Sequence, residues 1–370
     1  MKFGIIELLT LIGSLGFFIY GMKVMSDGIQ KVAGSKMRSI LSKMTSNRFL
    51  GITTGFILTA LLQSSSATTV MIVSFVNAGL LSLVESIGVI MGANIGTTIT
   101  AWLISLLGFK VKIASIALPI IAIGFPMMFS SKSNIKAWAE VLIGFALLFM
   151  GLDALKGSVP NLGAEELNFL KSYADMGIMS TLIFIGVGTI LTLVVQSSSA
   201  AMALTLVMCY EGYIPFELAA AMVLGENIGT TITANLAALV GNVHSKRAAR
   251  AHFIFNIFGV IWMIFAFQFF INSIDNYMIS NMDLSPVSSV GESVAVPIGL
   301  SIFHTTFNIL NVLFLVWFVP LISRTVIRMQ PSKGEIDEEF HLEHIGAGLM
   351  QTTELSVLEA KKEIIKFGEI

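Results

Sequence analysis

Charge is scarce in this chain. Of its 370 residues only 12% are Asp, Glu, Lys or Arg, where a soluble domain carries about 25%. Hydrophobic residues make up 55%, and the mean hydropathy is +0.85. That balance excludes a soluble globular domain and makes the chain an integral membrane protein. The net charge of −1 says little about partners, because the few charges are localised. Cysteine is nearly absent too. Cys209 stands alone, which excludes an internal disulfide framework, and its apolar surroundings make it a small hydrophobe. There is no P-loop, no nucleotide-binding cassette pattern, no HExxH and no Cys/His metal spacing. Gly92 and Gly96 lack the strand–turn–helix context of a dinucleotide site. No enzymatic activity and no cofactor is expected. No small-residue cleavage site follows the apolar N-terminus, so it reads as a retained span.

What is present is apolar sequence in long runs. A span takes about 20 apolar residues. Clear candidates are 4–25, 113–130, 137–156, 248–271 and 295–320. Two further regions, 49–107 and 176–240, are long but interrupted by polar strings. The first holds LLQSSSATTV and MGANIGTTIT; the second holds VVQSSSAAMA and LGENIGTTIT. Each reads as two apolar stretches with a polar break in each.

The strings repeat at one offset. QSSSA begins at Gln63 and Gln196, and NIGTTITA begins at Asn94 and Asn227, each 133 residues later. A weaker match relates 13–25 to 144–155. The chain therefore reads as a duplication. Loop charge then orients it. Segment 26–48 carries Lys31, Lys36, Arg38, Lys43 and Arg48 against Asp27, so it faces the cytoplasm. Its counterpart, 157–175, carries Glu165, Glu166 and Asp175 against Lys171, so it faces outside. Basic 131–136, basic 244–250 and acidic 272–294 fit the same scheme; basic 108–112 is the exception. Equivalent loops on opposite sides make the repeats inverted.

The expected fold is an all-α integral membrane protein of two inverted repeats plus one extra C-terminal span. Each repeat has three full crossings and a re-entrant hairpin, 49–80 or 180–213, whose QSSS tips meet near the midplane. The expected divisions are 1–130 for the first repeat, 131–275 for the second, 276–325 for an external loop and the last span, and 326–370 for a cytoplasmic tail. A soluble helix is expected from about Ile345 to Phe367.

Irregular backbone at membrane depth is tolerated only around a protein-lined or watery cavity. QSSSATT reads as a turn followed by a half-helix from Ser65, with serine hydroxyls capping free N–H groups. Such a helix start offers donors and partial positive charge to an anion. Gln63, Gln196 and nearby carbonyls offer oxygens to a small hard cation such as Na⁺. NIGTTIT has the same grammar, with Asn94 or Asn227, a flexible Gly96 or Gly229, and threonines 97, 98, 230 and 231. The bland alternative, small residues packing helices, fits one such cluster far better than two identical pairs. Glu226 replaces Ala93 of the first copy. It reads either as a cation or proton site or as a structural hydrogen bond. Glu85 and Glu217 read as interfacial caps. His252 with Asn256, and His304 with Asn308, read as hydrogen bonds between helices.

Doubled QSSS elements, each followed by a G-x-N-I-G-T-T string, resemble the type II sodium-dependent phosphate cotransporters and their bacterial relatives, over roughly residues 4–325. The resemblance implies Na⁺-coupled uptake of inorganic phosphate. By motif match it places Ser64, Ser65, Ser66, Ser197, Ser198 and Ser199 on phosphate, joined by Asn94 and Thr97. It places Gln63, Gln196, Asn227, Thr230 and Thr231 on sodium, joined by Thr98 and by Glu226. Electrogenic animal members carry an aspartate after the first string, where this chain reads SLLGFKVK. The tail HIGAGLMQTTELSVLEAKKEII resembles only the first helix of a PhoU-like domain, as in a truncated or naturally short form.

The expected partners are phosphate, Na⁺ as the co-transported ion and the lipid bilayer, with no nucleic acid and with homo-oligomerisation left open. The expected place is the cell (inner) membrane, with a cytoplasmic C-terminus. Alternatives are a carrier of another oxyanion or dicarboxylate, a passive channel, or a membrane sensor acting through its tail.

Overall fold

The computed structural model describes residues 4–42, 47–159, 176–289 and 293–332. The expected acidic loop beyond residue 159 and the tail beyond 332 lie outside them. Among the described residues every regular element is helical. In order these are α1 (Ile5–Ser42), α2 (Arg48–Leu62), α3 (Ser65–Asn77), α4 (Leu83–Leu103), α5 (Ala117–Met127) and α6 (Ser133–Ser158). They continue as α7 (Ile178–Val195), α8 (Ser198–Tyr210), α9 (Phe216–Ala238), α10 (Val243–Met282), α11 (Ala295–Leu315) and α12 (Val319–Met329). A π-helix, Ile104–Lys110, prolongs α4.

Six helical stretches are long and apolar enough to cross a membrane: Ile5–Ala33, Leu83–Lys110, Ser133–Ser158, Ile178–Val195, Val243–Met282 and Ala295–Met329. With no strands among the described residues, this is an all-α, multi-pass membrane architecture. One expected span falls short. Residues 113–130 form a 3₁₀ turn and α5, apolar over Ile113–Met127, and at about 1.5 Å per residue that stretch reaches about three-quarters of a hydrocarbon core.

The two halves are assembled by the same contacts. In the first, α2 lies against α4, so tightly that a Cβ on Gly55 would sit 1.9 Å from the Val89 carbonyl oxygen. A Cβ on Gly92 would sit 1.9 Å from that of Ile52. In the second, α7 lies against α9, with Gly188 facing Met222 at 2.1 Å and Gly225 facing Ile185 at 1.9 Å. Only glycine lets these backbones touch, the small-residue solution to packing where water supplies no hydrophobic drive. The pairing of α1 with α6 is similar and antiparallel. Gly21 abuts Leu148, Gly144 abuts Met25, and Gly151 abuts Phe18. Lys31 and Glu140 tie these two helices at 2.5 Å.

The polar strings behave differently from one another. QSSS breaks a helix, as expected. NIGTTIT does not: α4 and α9 run unbroken through 94–100 and 227–233. The expected second break is corrected on this point. Threonine hydroxyls satisfy themselves on the preceding turn, so the string stays helical. Thr97, Thr98, Thr230 and Thr231 donate to the carbonyls of Ala93, Ile95, Glu226 and Ile228 at 2.7–3.1 Å. Gly96 and Gly229 are not flexible points either. Each is a packing notch, 2.6 Å from Thr59 Cβ and 2.7 Å from Thr192 Cβ once a Cβ is placed on it.

Candidate functional site

Both breaks have one geometry. Gln63 ends α2 in the left-handed region (φ 50, ψ 27), and Gln196 ends α7 there (φ 58, ψ 21). A non-glycine residue pays for that conformation with about 1 kcal/mol or more. Each glutamine offsets the cost with its own amide, which donates at 2.6 Å to the carbonyl three residues back, Ala60 or Leu193. The amide oxygen then accepts from a threonine 37 residues on, Thr100 at 3.1 Å or Thr233 at 3.4 Å. Those two threonines lie in the identical NIGTTITA strings, but sequence reasoning singled out only their neighbours.

After each glutamine the chain is extended, at Ser64 (φ −151, ψ 106) and Ser197 (φ −149, ψ 111), and then a new helix starts. Ser64 Oγ accepts from Ala67 N at 3.1 Å, and Ser197 Oγ from Ala200 N at 3.3 Å. The N–H groups of the next two residues, Ser65 and Ser66 or Ser198 and Ser199, have no acceptor within their helices. The two helix starts meet: Ser65 Oγ and Ser198 Oγ are 3.5 Å apart and buried. Ser199 is also buried, while Ser64, Ser66 and Ser197 are half-buried. Two positive helix ends facing each other repel. An anion between them turns the repulsion into attraction, with four backbone donors and the serine hydroxyls at hand.

Asn94 and Asn227 are buried on the adjoining helices α4 and α9. Their amide nitrogens reach Asn256 Oδ1 at 3.5 Å and the Val223 carbonyl at 3.3 Å. Their oxygens take no hydrogen bond among the described residues. Glu226 is buried and accepts from Thr205 Oγ1 at 2.7 Å. Both readings of Glu226 thus keep a foothold, since the structural hydrogen bond exists and no basic side chain pairs with the carboxylate among the described residues. Thr205 was missed from sequence, although its first-copy counterpart is Ile72, a visible change of polarity. Ser26 of α1 was missed as well. It donates to the Leu62 carbonyl at 2.6 Å, directly at the first break.

One expectation is corrected in part. One of the histidine–asparagine pairs does bridge helices, through Asn256 Oδ1, which accepts from Asn94 of α4 at 3.5 Å, but the asparagine amides bond elsewhere. Asn256 donates to the His252 carbonyl at 3.0 Å, and Asn308 to that of His304 at 2.8 Å, each within one helix. One-turn spacing brings an asparagine amide to its own helix's carbonyl before any neighbour. The two Nδ1 atoms are buried without a partner. Of the two acidic caps, Glu85 closes a capping box with Ser82. Glu217 lies in the first turn of α9 behind Pro215, which has no side-chain donor or acceptor.

Known proteins resemble this chain in sequence. YjbB of Salmonella typhimurium, whose name provisionally assigns it inorganic phosphate export, is 25% identical over 98% of this chain and 63% of its own length. The chain thus spans under two-thirds of that relative. YqeW of Bacillus subtilis, an uncharacterised protein, is 30% identical over 66% of this chain and 77% of its own. Human sodium-dependent phosphate transport protein 2B is 40% identical over 106 residues, 28% of this chain and 15% of its own. No solved structure matches the chain. The Na+/Pi-cotransporter family profile matches residues 17–157 and 167–281, which is most of the chain and both halves of the site, and the chain belongs to that family.

Proposed function

We propose that the chain is a secondary active transporter coupling inward Na⁺ movement to uptake of inorganic phosphate by alternating access. One observation carries the reading. Two serine-capped helix starts face each other, with Ser65 and Ser198 hydroxyls 3.5 Å apart. Anion donors from both halves then converge on one point, and among the described residues no lysine or arginine hydrogen-bonds to these serines. Such a site releases its anion more readily than a fixed cation would. Phosphate is held by Ser64–Ser66, Ser197–Ser199, Asn94 and Thr97. Sodium is held by Gln63, Thr98, Gln196, Glu226, Asn227, Thr230 and Thr231. Human phosphate transport protein 2B, sodium-dependent by name, supports the substrate and the ion.

The architecture that suits this mechanism is the inverted repeat, 1–130 against 131–275, with the α2–α3 and α7–α8 pairs as re-entrant hairpins. The antiparallel pairing of α1 with α6 supports it. Gly21 meets Leu148 while Gly151 meets Phe18, and at the weak sequence match's offset of about 130 these contacts map onto each other, as a two-fold axis in the membrane plane requires. Residues 276–325 are the external loop and last span, 326–370 is a cytoplasmic tail, and the protein sits in the cell (inner) membrane. The hairpin unit moves against a scaffold of α1 and α6. Crosslinks between hairpins and scaffold that leave transport intact would count against that motion.

Export is the second reading, favoured by the name of a relative that covers 98% of the chain. Labelled phosphate flux in proteoliposomes, with Na⁺ gradients of either direction, decides between them. Uptake driven uphill by inward Na⁺ supports import coupling. Equal flux in Na⁺, K⁺ and Li⁺ removes sodium from the mechanism.

A further inference from the structure

The repeat offset allows every residue of one half to be compared with its counterpart in the other. In the first half, at the α2–α3–α4 junction, Thr59 Oγ1 donates to Thr68 Oγ1 at 3.0 Å, and Thr68 donates on to the Ser64 carbonyl. Ile72 and Ala93 complete that junction, and all four residues are buried. In the second half the counterparts are Thr192, Ala201, Thr205 and Glu226.

Three of the four positions differ, and the differences are coordinated. Ala201 removes the hydroxyl to which Thr192 would donate. Thr192 Oγ1 is consequently buried with no hydrogen-bond partner at all, although the residue is only 2% exposed. A buried hydroxyl left unpaired costs about 1–3 kcal/mol, so an empty gap here is unfavourable. The other two changed positions add a carboxylate, Glu226, and a hydroxyl, Thr205, which donates to it at 2.7 Å. Thr192 packs against Gly229, three residues after Glu226 and so on the same face of α9. Ala201 and Thr205 are one turn apart on α8, likewise on one face. At the places of Ile72 and Ala93, the second junction therefore carries a hydroxyl and a carboxylate where the first has apolar side chains.

We propose that the α7–α8–α9 junction holds a sodium ion that the first half cannot hold, with Glu226 and the Thr192 hydroxyl as ligands. The ion neutralises a carboxylate that no basic residue pairs with, and it occupies the orphaned oxygen of Thr192. Oxygen-only ligands suit a hard cation, and among the described residues no His/Cys/Asp/Glu cluster offers a transition-metal site. The inference rests on the sodium-coupled reading and adds to it a ligand, Thr192, and a side.

The test is phosphate uptake by the full chain in proteoliposomes as a function of external Na⁺, with Na⁺-dependent thermal stabilisation of the purified protein as a second readout. Thr192→Val keeps the shape and removes the oxygen. It should raise the Na⁺ concentration for half-maximal uptake at least five-fold while leaving the phosphate KM at saturating Na⁺ unchanged. Thr192→Ser should retain near-normal Na⁺ dependence. Ala201→Thr recreates the first half's threonine pair, engages the Thr192 hydroxyl and should weaken Na⁺ similarly, even if Thr192→Val does not fold. Thr59→Val, the mirror change, should leave Na⁺ dependence as it was. Wild-type Na⁺ dependence in both Thr192→Val and Ala201→Thr overturns the proposal while sodium coupling stands. Wild-type uptake and stability indifferent to Na⁺ overturn both.

Discussion

The α2–α3–α4 half and the α7–α8–α9 half share a backbone and differ in what they bury. Both turn at a left-handed glutamine, restart at a serine cap, and brace the glutamine with a threonine 37 residues on. Yet Gln63 is buried while Gln196 is exposed. Ser26 of α1 covers the first break and donates to its last carbonyl. In the first half Thr59, Thr68, Ile72 and Ala93 form a junction whose hydroxyls satisfy each other. In the second, Thr192, Ala201, Thr205 and Glu226 form one that does not. The lesson is that the glycines and the QSSS break set the frame, and a handful of buried substitutions decides what each frame holds.

Four predictions probe that comparison. The largest effect should come where the halves are equal. Gly92→Val and Gly225→Val each drive a side chain onto a carbonyl oxygen 1.9 Å from the new Cβ. Both should abolish folded protein, a loss above about 5 kcal/mol, seen as the absence of a monodisperse peak in detergent. If only one fails, the frames are not equivalent. Next comes exchange of the unequal position. Ala93→Glu buries a carboxylate opposite Ile72 with nothing to receive it and should cost about 3–5 kcal/mol. Adding Ile72→Thr should recover part of the loss in a thermal melt. No recovery would mean that Thr205 does not support Glu226.

Smaller still are the paired serines. Ser65→Ala and Ser198→Ala should each raise the phosphate KM about five-fold, near 1 kcal/mol per hydrogen bond, in the uptake assay. If both variants transport normally, the meeting of the two helix starts is not the phosphate site. Smallest is the brace. Thr100→Val removes a buried bond at 3.1 Å and should cost about 1 kcal/mol. Thr233→Val removes an exposed one at 3.4 Å and should cost close to nothing in the same melt. Equal losses would show that Gln196 is covered in the folded protein.

Much of the site could be read from the chain because it was written twice. A single QSSS among apolar residues fits helix packing. Two, followed by two NIGTTITA strings at a common offset, specify a symmetric polar site, and the helix start near Ser65 followed from capping chemistry alone. The second string misled for a physical reason. Threonine and asparagine were read as helix breakers, but inside a membrane their side chains bond to the preceding turn, and the glycine between them packs a neighbour. The histidine–asparagine pairs misled in part: Asn256 does meet Asn94 of another helix, but both asparagine amides bond within their own helices, since spacing along one helix does not say which side chain faces another. Length misled at 113–130, where an apolar run long enough on paper divides into a 3₁₀ turn and a short helix.

By itself the sequence determined the membrane class, the duplication, the positions of both breaks and the residue types available to an anion and a cation. These depend on composition, periodicity and local backbone chemistry, which a chain carries with it. Only the tertiary structure decided that the two serine-capped helix starts face each other across 3.5 Å. It alone showed that Thr100 and Thr233 hold the glutamines, and that Thr192 is left without a partner. Those facts depend on which faces of distant helices meet. The glycine contacts that bring the helices together fix that choice, and no local pattern contains it.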